Sequence, residues 1–349
     1  MDRLTDFELR TLPGLWSSYE QTPRQLGFQA RSQAEAAAWQ TALRERLAQL
    51  LGGFPKQRVD LDAHMIDCAE DDGFTRELVV FQSQPGAYVP CYVLIPHSAP
   101  PFRPVIALHG HGTGGARWLV GLPADAAEDE SIRAHNYDYA RQLVRRGFMV
   151  FAPVQRGFAE RLEDAPLRDT ADPLWHSSCR PLALNALLLG ATLLGLRVWD
   201  VLRLIDYLRA RPEPLSGGLG CVGLSGGGTV ALFSAALDQR ISCAVVSGYF
   251  NTFRDSIMAI NHCACNYVPG IARYAEMADI AGLVAPRPLL VESGLRDPIF
   301  PAAATRRALE ELRPIYALLG ADDRLEADFF DGGHQWSGAK AYGWLDRWL

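Results

Sequence analysis

No uncharged apolar run in this sequence reaches the roughly 18 residues that a membrane-spanning helix needs. The longest candidate, Leu182 to Leu196, is interrupted by Asn185, Gly190 and Gly195. A basic surplus is also missing. There are 34 Lys+Arg against 40 Asp+Glu, a net charge of −6. The basic residues are scattered, which excludes the concentrated basic face that a nucleic-acid partner requires. No disulfide framework is legible, because the seven cysteines are odd in number and dispersed. Cys91, Cys179, Cys221, Cys243 and Cys263 sit in or near apolar sequence and read as buried, reduced thiols of a cytoplasmic protein. The opening MDRLTDFELR has no apolar stretch, so no secretory signal is expected. Internal repeats and low-complexity tracts are absent as well.

What is there is the balance of an ordinary globular enzyme, with 48% hydrophobic and 21% charged residues in a 349-residue chain. Thirty-one glycines and 22 prolines supply the tight turns of a many-stranded sheet. Residues 1–57 differ from the rest. Gln29 to Leu51 has strong helical propensity and stops at Gly52-Gly53, giving a helical N-terminal extension that packs on the main domain or on a partner subunit. Such a helix is compatible with a homo-oligomer.

Residues 58–349 alternate short β-rich runs with helical segments. Strands are expected over Glu77 to Gln82, Val89 to Ile95, Val105 to Leu108, Met149 to Ala152, Gly220 to Leu224, Ala244 to Ser247, Leu289 to Glu292 and Glu326 to Phe330. Runs such as VIAL and FMVFA suit strands buried on both faces of a mostly parallel sheet. Helices are expected over Arg133 to Arg146, Pro181 to Arg211, Gly227 to Leu237, Ala302 to Leu319 and Ala339 to Trp348. The class is therefore α/β. The first two strands have no helix between them and should form an antiparallel hairpin. Insertion loops are expected at about 111–132, 159–180 and 249–280, and the acidic run Asp125 to Glu130 reads as a solvated loop.

The sharpest motif is Gly220-Cys-Val-Gly-Leu-Ser-Gly-Gly-Gly228. An apolar strand enters Gly223-Leu-Ser225-Gly-Gly227 and a helix leaves it, the strand–turn–helix context of a G-x-S-x-G nucleophile elbow. The glycines permit the sharp turn, and the serine hydroxyl projects above the sheet. A serine needs a base, and the base needs an orienting acid. His334 follows the last strand in Phe329-Phe-Asp-Gly-Gly-His-Gln-Trp336 and fits the base. Asp297 lies in the loop after Leu289-Leu-Val-Glu292 and fits the acid. Glu292 is its rival, and Asp331 is read as a turn stabiliser. The strand Val105 to Leu108 ends in His109-Gly-His-Gly112, whose exposed amides suit an oxyanion hole. It is assigned to the backbone N–H groups of His111 and Gly226. Candidate substrate contacts are His109, Trp118, Trp175, His176, Tyr249, Phe250, Phe253, His262 and Tyr267. The His109 side chain also fits a structural hydrogen bond, and the aromatic positions fit plain core packing. His262-Cys-Ala-Cys265 brings soft ligands close together, but zinc sites pair such a segment with a second half. None is apparent in the sequence, so no metal is expected.

Together, His109-Gly-His-Gly112, Gln155-Arg-Gly-Phe158, Gly223-Leu-Ser-Gly-Gly227 and Gly332-Gly-His334 resemble the α/β-hydrolase superfamily from about residue 59 to the C-terminus. Within it they are similar to the dienelactone-hydrolase-like and acetyl-xylan-esterase-like branch. Ser225 stands where dienelactone hydrolases proper carry cysteine. The resemblance implies a central sheet of about eight strands, a triad of Ser225, Asp297 and His334, and no cofactor. It points to a serine carboxylic-ester hydrolase acting on a small-molecule, acetyl-like ester. The alternatives are a prolyl-oligopeptidase-like serine peptidase, a lyase, or a binding protein on the same scaffold.

Overall fold

Alternation along the central strands sets the architecture. Val105 and Ala107 join one apolar cluster while Ile106 and Leu108 join the other, because successive side chains of a strand leave opposite faces. The computed structural model describes residues 8–169 and 176–349. Its sheet contains β1 (His64–Asp71), β2 (Phe74–Gln84), β3 (Ala87–Pro96), β4 (Arg103–Leu108), β5 (Phe148–Pro153), β6 (Leu219–Leu224), β7 (Ile241–Ser247), β8 (Leu289–Gly294) and β9 (Leu325–Phe330). The spatial order is β1-β2-β3-β5-β4-β6-β7-β8-β9. β1, β2 and β3 pair antiparallel, as does β3 with β5, and every later pair is parallel.

The helices are α1 (Thr11–Gln21), α2 (Gln33–Leu50), α3 (Ala116–Leu119), α4 (Ala126–Ala134), α5 (Tyr139–Val144), α6 (Cys179–Leu188), α7 (Leu193–Ala210), α8 (Gly226–Leu237), α9 (Met277–Gly282), α10 (Ala302–Leu318) and α11 (Ala341–Trp348). α2, α7, α8, α9 and α10 bury their apolar sides on one face of the sheet. α3, α4, α5 and α11 cover the other. Burial on both faces is what lets β5 and the stretch Pro104 to Leu108 of β4 be apolar throughout. α2 starts at Ser32, whose hydroxyl accepts from Glu35 N at 3.2 Å. Its Gln40 donates to Gly282 O and Ala285 O, and its Arg44 to Ala236 O and Leu283 O. These bonds fix α2 against the ends of α8 and α9. Among the described residues no single helix is long and apolar enough to cross a membrane.

Three sequence expectations are corrected, and the expected sheet of about eight strands has nine among the described residues, because HMIDCAED forms β1. That strand is a largely exposed edge with no apolar alternation, so it carries no burial signal. The acidic run is not a loop. Asp125 caps α4, its side chain accepting from Glu128 N at 2.9 Å, and acidic residues suit the positive end of a helix. The segment 133–146 divides between α4 and α5, with Asn136 at φ 51° in the turn. The segment 181–211 is α6 and α7, bent by 96°. Gly190 takes φ 72° at the break, and Thr192 restarts the chain by accepting from Gly195 N at 3.0 Å.

Ser225, Asp297, His334 and the turn 109–112 all follow the carboxyl ends of parallel strands, the edge of an open α/β sheet where ligands bind.

Candidate active site and an adjoining sulfur cluster

The elbow is built by close backbone approach. A Cβ on Gly223 would lie 2.3 Å from Gly227 O, and one on Gly227 would lie 1.8 Å from Leu108 O. Glycine is therefore required at both, and β6, β4 and α8 meet there without side chains between them. The turn forces Ser225 to φ 57° and ψ −121°, a conformation costing a non-glycine residue roughly 1–3 kcal/mol. Surrounding hydrogen bonds hold it: Ser225 N donates to Ser247 O at 2.9 Å, and Ser225 O accepts from Thr229 N at 2.9 Å and Thr229 Oγ1 at 3.2 Å.

Asp297 lies in the loop after β8. Its Oδ1 accepts from Ile299 N at 2.8 Å and Phe300 N at 3.0 Å, and its Oδ2 is 2.7 Å from His334 Nδ1. A carboxylate so held accepts a hydrogen bond from Nδ1–H of the imidazole, which leaves Nε2 with the free lone pair. His334 Nε2 is buried, with no hydrogen-bond partner among the described residues. The Phe300 ring stacks on the imidazole at 5.8 Å between centroids. Gly248 comes so near that a Cβ there would lie 3.1 Å from His334 Cε1.

The rival acid, Glu292, does something else. It is buried at the end of β8 and accepts from Ser337 N at 3.2 Å and Gly338 N at 2.9 Å, so it anchors the chain just beyond His334. Burial outweighs these bonds and pushes its carboxyl up to about 7. Asp331 pairs at the surface with Arg296.

Ser225 and His334 open onto one cavity of about 420 Å³. His111, His135, Tyr137, Leu224, Ile260, Asn261, His262, Cys263 and Ile299 also line it. No Lys, Arg, Asp or Glu is among these residues. The amides of His111 and Gly226 have no acceptor among the described residues. His111 adjoins the elbow, since a Cβ on Gly226 would lie 3.1 Å from its Nδ1. Burial holds His262 down to about 4, so it is neutral.

The sequence candidates separate. Ser225, His334, His111 and His262 share the cavity. His109 is wholly buried, and its Nε2 accepts from Gln155 N at 2.9 Å. Burial pushes it down to about 3, so it is a neutral structural imidazole beneath the turn and not a substrate contact. Trp118 is also withdrawn, because it packs in the core under Gly112 and Gly114. Tyr249, Phe250 and Phe253 belong to the core on the α8 face. Tyr267 is exposed, is not among the lining residues, and donates to Ile257 O at 3.0 Å. His176 is half-buried outside the cavity lining, and Trp175 lies outside the described residues. His135 and Tyr137 were not expected in the lining. They come from the turn hidden inside the segment 133–146, where Asn136, a residue type that tolerates the φ of 51° it adopts, was the available signal.

Beside the elbow, the fold supplies the second half that His262-Cys-Ala-Cys265 lacks in sequence. His111, Cys179, Cys263 and Cys265 bring four ligand atoms within 4.8 Å of one another. His111 Nε2 is 3.6 Å from Cys265 Sγ and 4.0 Å from Cys179 Sγ, and the sulfurs of Cys263 and Cys265 are 3.1 Å apart. All three cysteines are unbridged.

No family model matches the chain. YtaP of Bacillus subtilis (strain 168), provisionally named a hydrolase, is 26% identical over 320 residues, spanning 88% of this chain and 98% of that protein. Among solved structures, a Bacteroides fragilis NCTC 9343 protein, provisionally named an acetyl xylan esterase, superposes with a TM-score of 0.77 at 17% identity, covering 93% of this chain and 82% of that one. A glucuronoyl esterase from Solibacter usitatus gives 0.67 at 14% identity, covering 94% and 98%. An acetyl xylan esterase from Paenibacillus sp. R4 gives 0.57 at 16% identity, covering 98% and 100%. The chain has the α/β-hydrolase fold that its motifs resemble.

Proposed function

We propose that this chain is a serine carboxylic-ester hydrolase with Ser225 as nucleophile, His334 as base and Asp297 as orienting acid. The observation that carries this reading is the 2.7 Å bond from His334 Nδ1 to Asp297, which leaves Nε2 open in the cavity that Ser225 shares. His334 Nε2 takes the hydroxyl proton as Ser225 Oγ attacks the ester carbonyl. Asp297 stabilises the imidazolium that results. The carbonyl oxygen gains negative charge and is met by the amides of His111 and Gly226. The carbon–oxygen bond to the alcohol breaks, and the leaving oxygen takes the proton from His334. Water then gives its proton to His334 and attacks the acyl-enzyme. The acid leaves, and Ser225 regains its proton.

A cavity of about 420 Å³ without charged lining among the described residues suits a small, uncharged ester. The names of the structural neighbours point the same way, toward acetyl or related esters of carbohydrates. Seven cysteines, none of them bridged, suit a reducing compartment, and on that ground the chain is assigned to the cytoplasm. The test is hydrolysis of p-nitrophenyl acetate by wild type and by Ser225→Ala. Turnover in wild type with collapse in the variant supports the reading, and equal turnover in both rejects it.

A further inference from the structure

We propose that His111, Cys179, Cys263 and Cys265 bind one zinc ion as a tetrahedral Cys₃His site, which clamps the turn carrying His111 to α6 and to the loop after β7. The proposal goes beyond ester hydrolysis, and its zinc part does not depend on that reading.

Ligand type comes first. Three sulfurs and one imidazole nitrogen form a donor set that favours zinc over harder cations. Geometry comes next. Zinc–sulfur bonds of about 2.3 Å and zinc–nitrogen bonds of about 2.0 Å make tetrahedral edges of roughly 3.5 Å between nitrogen and sulfur and roughly 3.8 Å between two sulfurs. His111 Nε2 lies 3.6 Å from Cys265 Sγ and 4.0 Å from Cys179 Sγ, near the nitrogen–sulfur edge, while Cys263 Sγ and Cys265 Sγ at 3.1 Å are closer than the sulfur–sulfur edge. Binding would open the Cys263–Cys265 sulfur pair by roughly 0.7 Å.

The surroundings suit charged sulfurs. Arg197 Nη2 is 3.1 Å from Cys179 Sγ, and Asn266 Nδ2 is 3.4 Å from Cys265 Sγ. N–H groups aimed at sulfur are the usual outer partners of metal thiolates. Arg197 itself needs explaining. It is 3% exposed and has no carboxylate partner among the described residues, while the nearby Asp200 is already engaged by Arg156 and Arg161. Zinc with three thiolates and a neutral imidazole carries a net charge of −1. Beside it the guanidinium has a counter-charge, and a buried ion without one is costly.

The site also has something to hold. Among the described residues the local apolar cluster here has Phe158, Cys179, Ala183, Leu193 and Cys265 as its buried members. On binding, the thiol protons leave to solvent and the ion cross-links three segments distant in sequence. Zinc on Nε2 requires the His111 proton on Nδ1, the atom facing Gly226. The ion thereby fixes the ring beneath the proposed oxyanion turn. His111 is a positioning residue through its side chain, and this last consequence alone rests on the ester-hydrolase reading.

The experiment is elemental analysis of the full chain, expressed with zinc and purified without chelators. About one zinc per chain is expected in wild type, in Cys68→Ser and in Ser225→Ala. Cys179→Ser and Cys265→Ser should lose it while circular dichroism stays native. Cobalt-grown wild type should show the intense visible bands of a tetrahedral cobalt thiolate. A folded wild type that takes up neither metal overturns the proposal, as does a metal-free preparation with a disulfide among Cys179, Cys263 and Cys265. Neither reading requires a variant to fold. Arg197→Gln should weaken zinc about 10- to 100-fold in competition with a chromophoric chelator, and unchanged affinity rejects the charge-balance role. Full zinc in an inactive Ser225→Ala shows that site and nucleophile are separable.

Discussion

Two of the imidazoles that share the Ser225 cavity each have one nitrogen committed and one turned toward the cavity or the elbow. His334 commits Nδ1 to the Asp297 carboxylate and leaves Nε2 free. His111 turns Nε2 toward sulfur and sets Nδ1 against the elbow. The ring type is the same, but its partner decides its work. A carboxylate strengthens the free nitrogen as a proton acceptor and stabilises the charged ring. A sulfur cluster removes one nitrogen from proton chemistry and makes the ring a strut. The lesson is that a histidine's role is set by what holds its far side.

The largest effect that separates the two sides should come from Ser225→Ala. We expect kcat to fall about 10⁵–10⁶-fold on p-nitrophenyl acetate, with melting temperature and zinc content unchanged. A loss of zinc in this variant breaks the comparison. Asp297→Asn should come next, at roughly 10³–10⁴-fold in kcat, because an amide at that position no longer holds the Nδ1–H tautomer. Steady-state kinetics with KM nearly unchanged is the expected signature.

On the sulfur side, Cys265→Ser or chelation should lower turnover by only about 10- to 100-fold. It should also lower the melting temperature, which Asp297→Asn should not. An activity loss as deep as that of Ser225→Ala would mean that the ion takes part in chemistry.

Glu292→Gln sharpens the comparison from below, since Glu292 supports only the His334 side. Its folded value of about 7 lies above the ordinary carboxyl value of 4.5, so between those values the folded state binds more protons than the unfolded one. Stability from this group is therefore fully present below about pH 4.5 and declines as pH rises through 7, by on the order of 3 kcal/mol. Urea unfolding of wild type against Glu292→Gln across pH 4.5–8 should show the variant gaining relative to wild type as pH rises. A flat difference removes the assignment. The smallest effect should come from Tyr267→Phe, which deletes one exposed bond to Ile257 O. Stability should move by less than about 0.5 kcal/mol and turnover should not change. A larger change would bring Tyr267 back to the site.

The elements that carried the site were legible because their signals are local. Gly223 to Gly227 spells out an elbow within five residues, and apolar runs such as Val105 to Leu108 announce strands covered on both faces. β1 was illegible for the opposite reason: an exposed edge strand has no burial to record in its sequence. His135 and Tyr137 were hidden because a helical pattern ran across the turn that presents them. Trp118, Tyr249, Phe250 and Phe253 show that an aromatic near a strand end fills core as readily as pocket, and only packing distinguishes the two.

The sequence by itself determined the class of fold, the elbow, and the order of Ser225, Asp297 and His334, each tied to its own strand end. Only the tertiary structure decided what stands beside them. His111 and Cys179 are 68 residues apart, and His111 and Cys265 are 154 apart. A chain advertises a site in its spacing only when the ligands share one turn or one motif. A cation needs only that the donor atoms meet in space, and here a turn, the start of α6 and the loop after β7 bring them together.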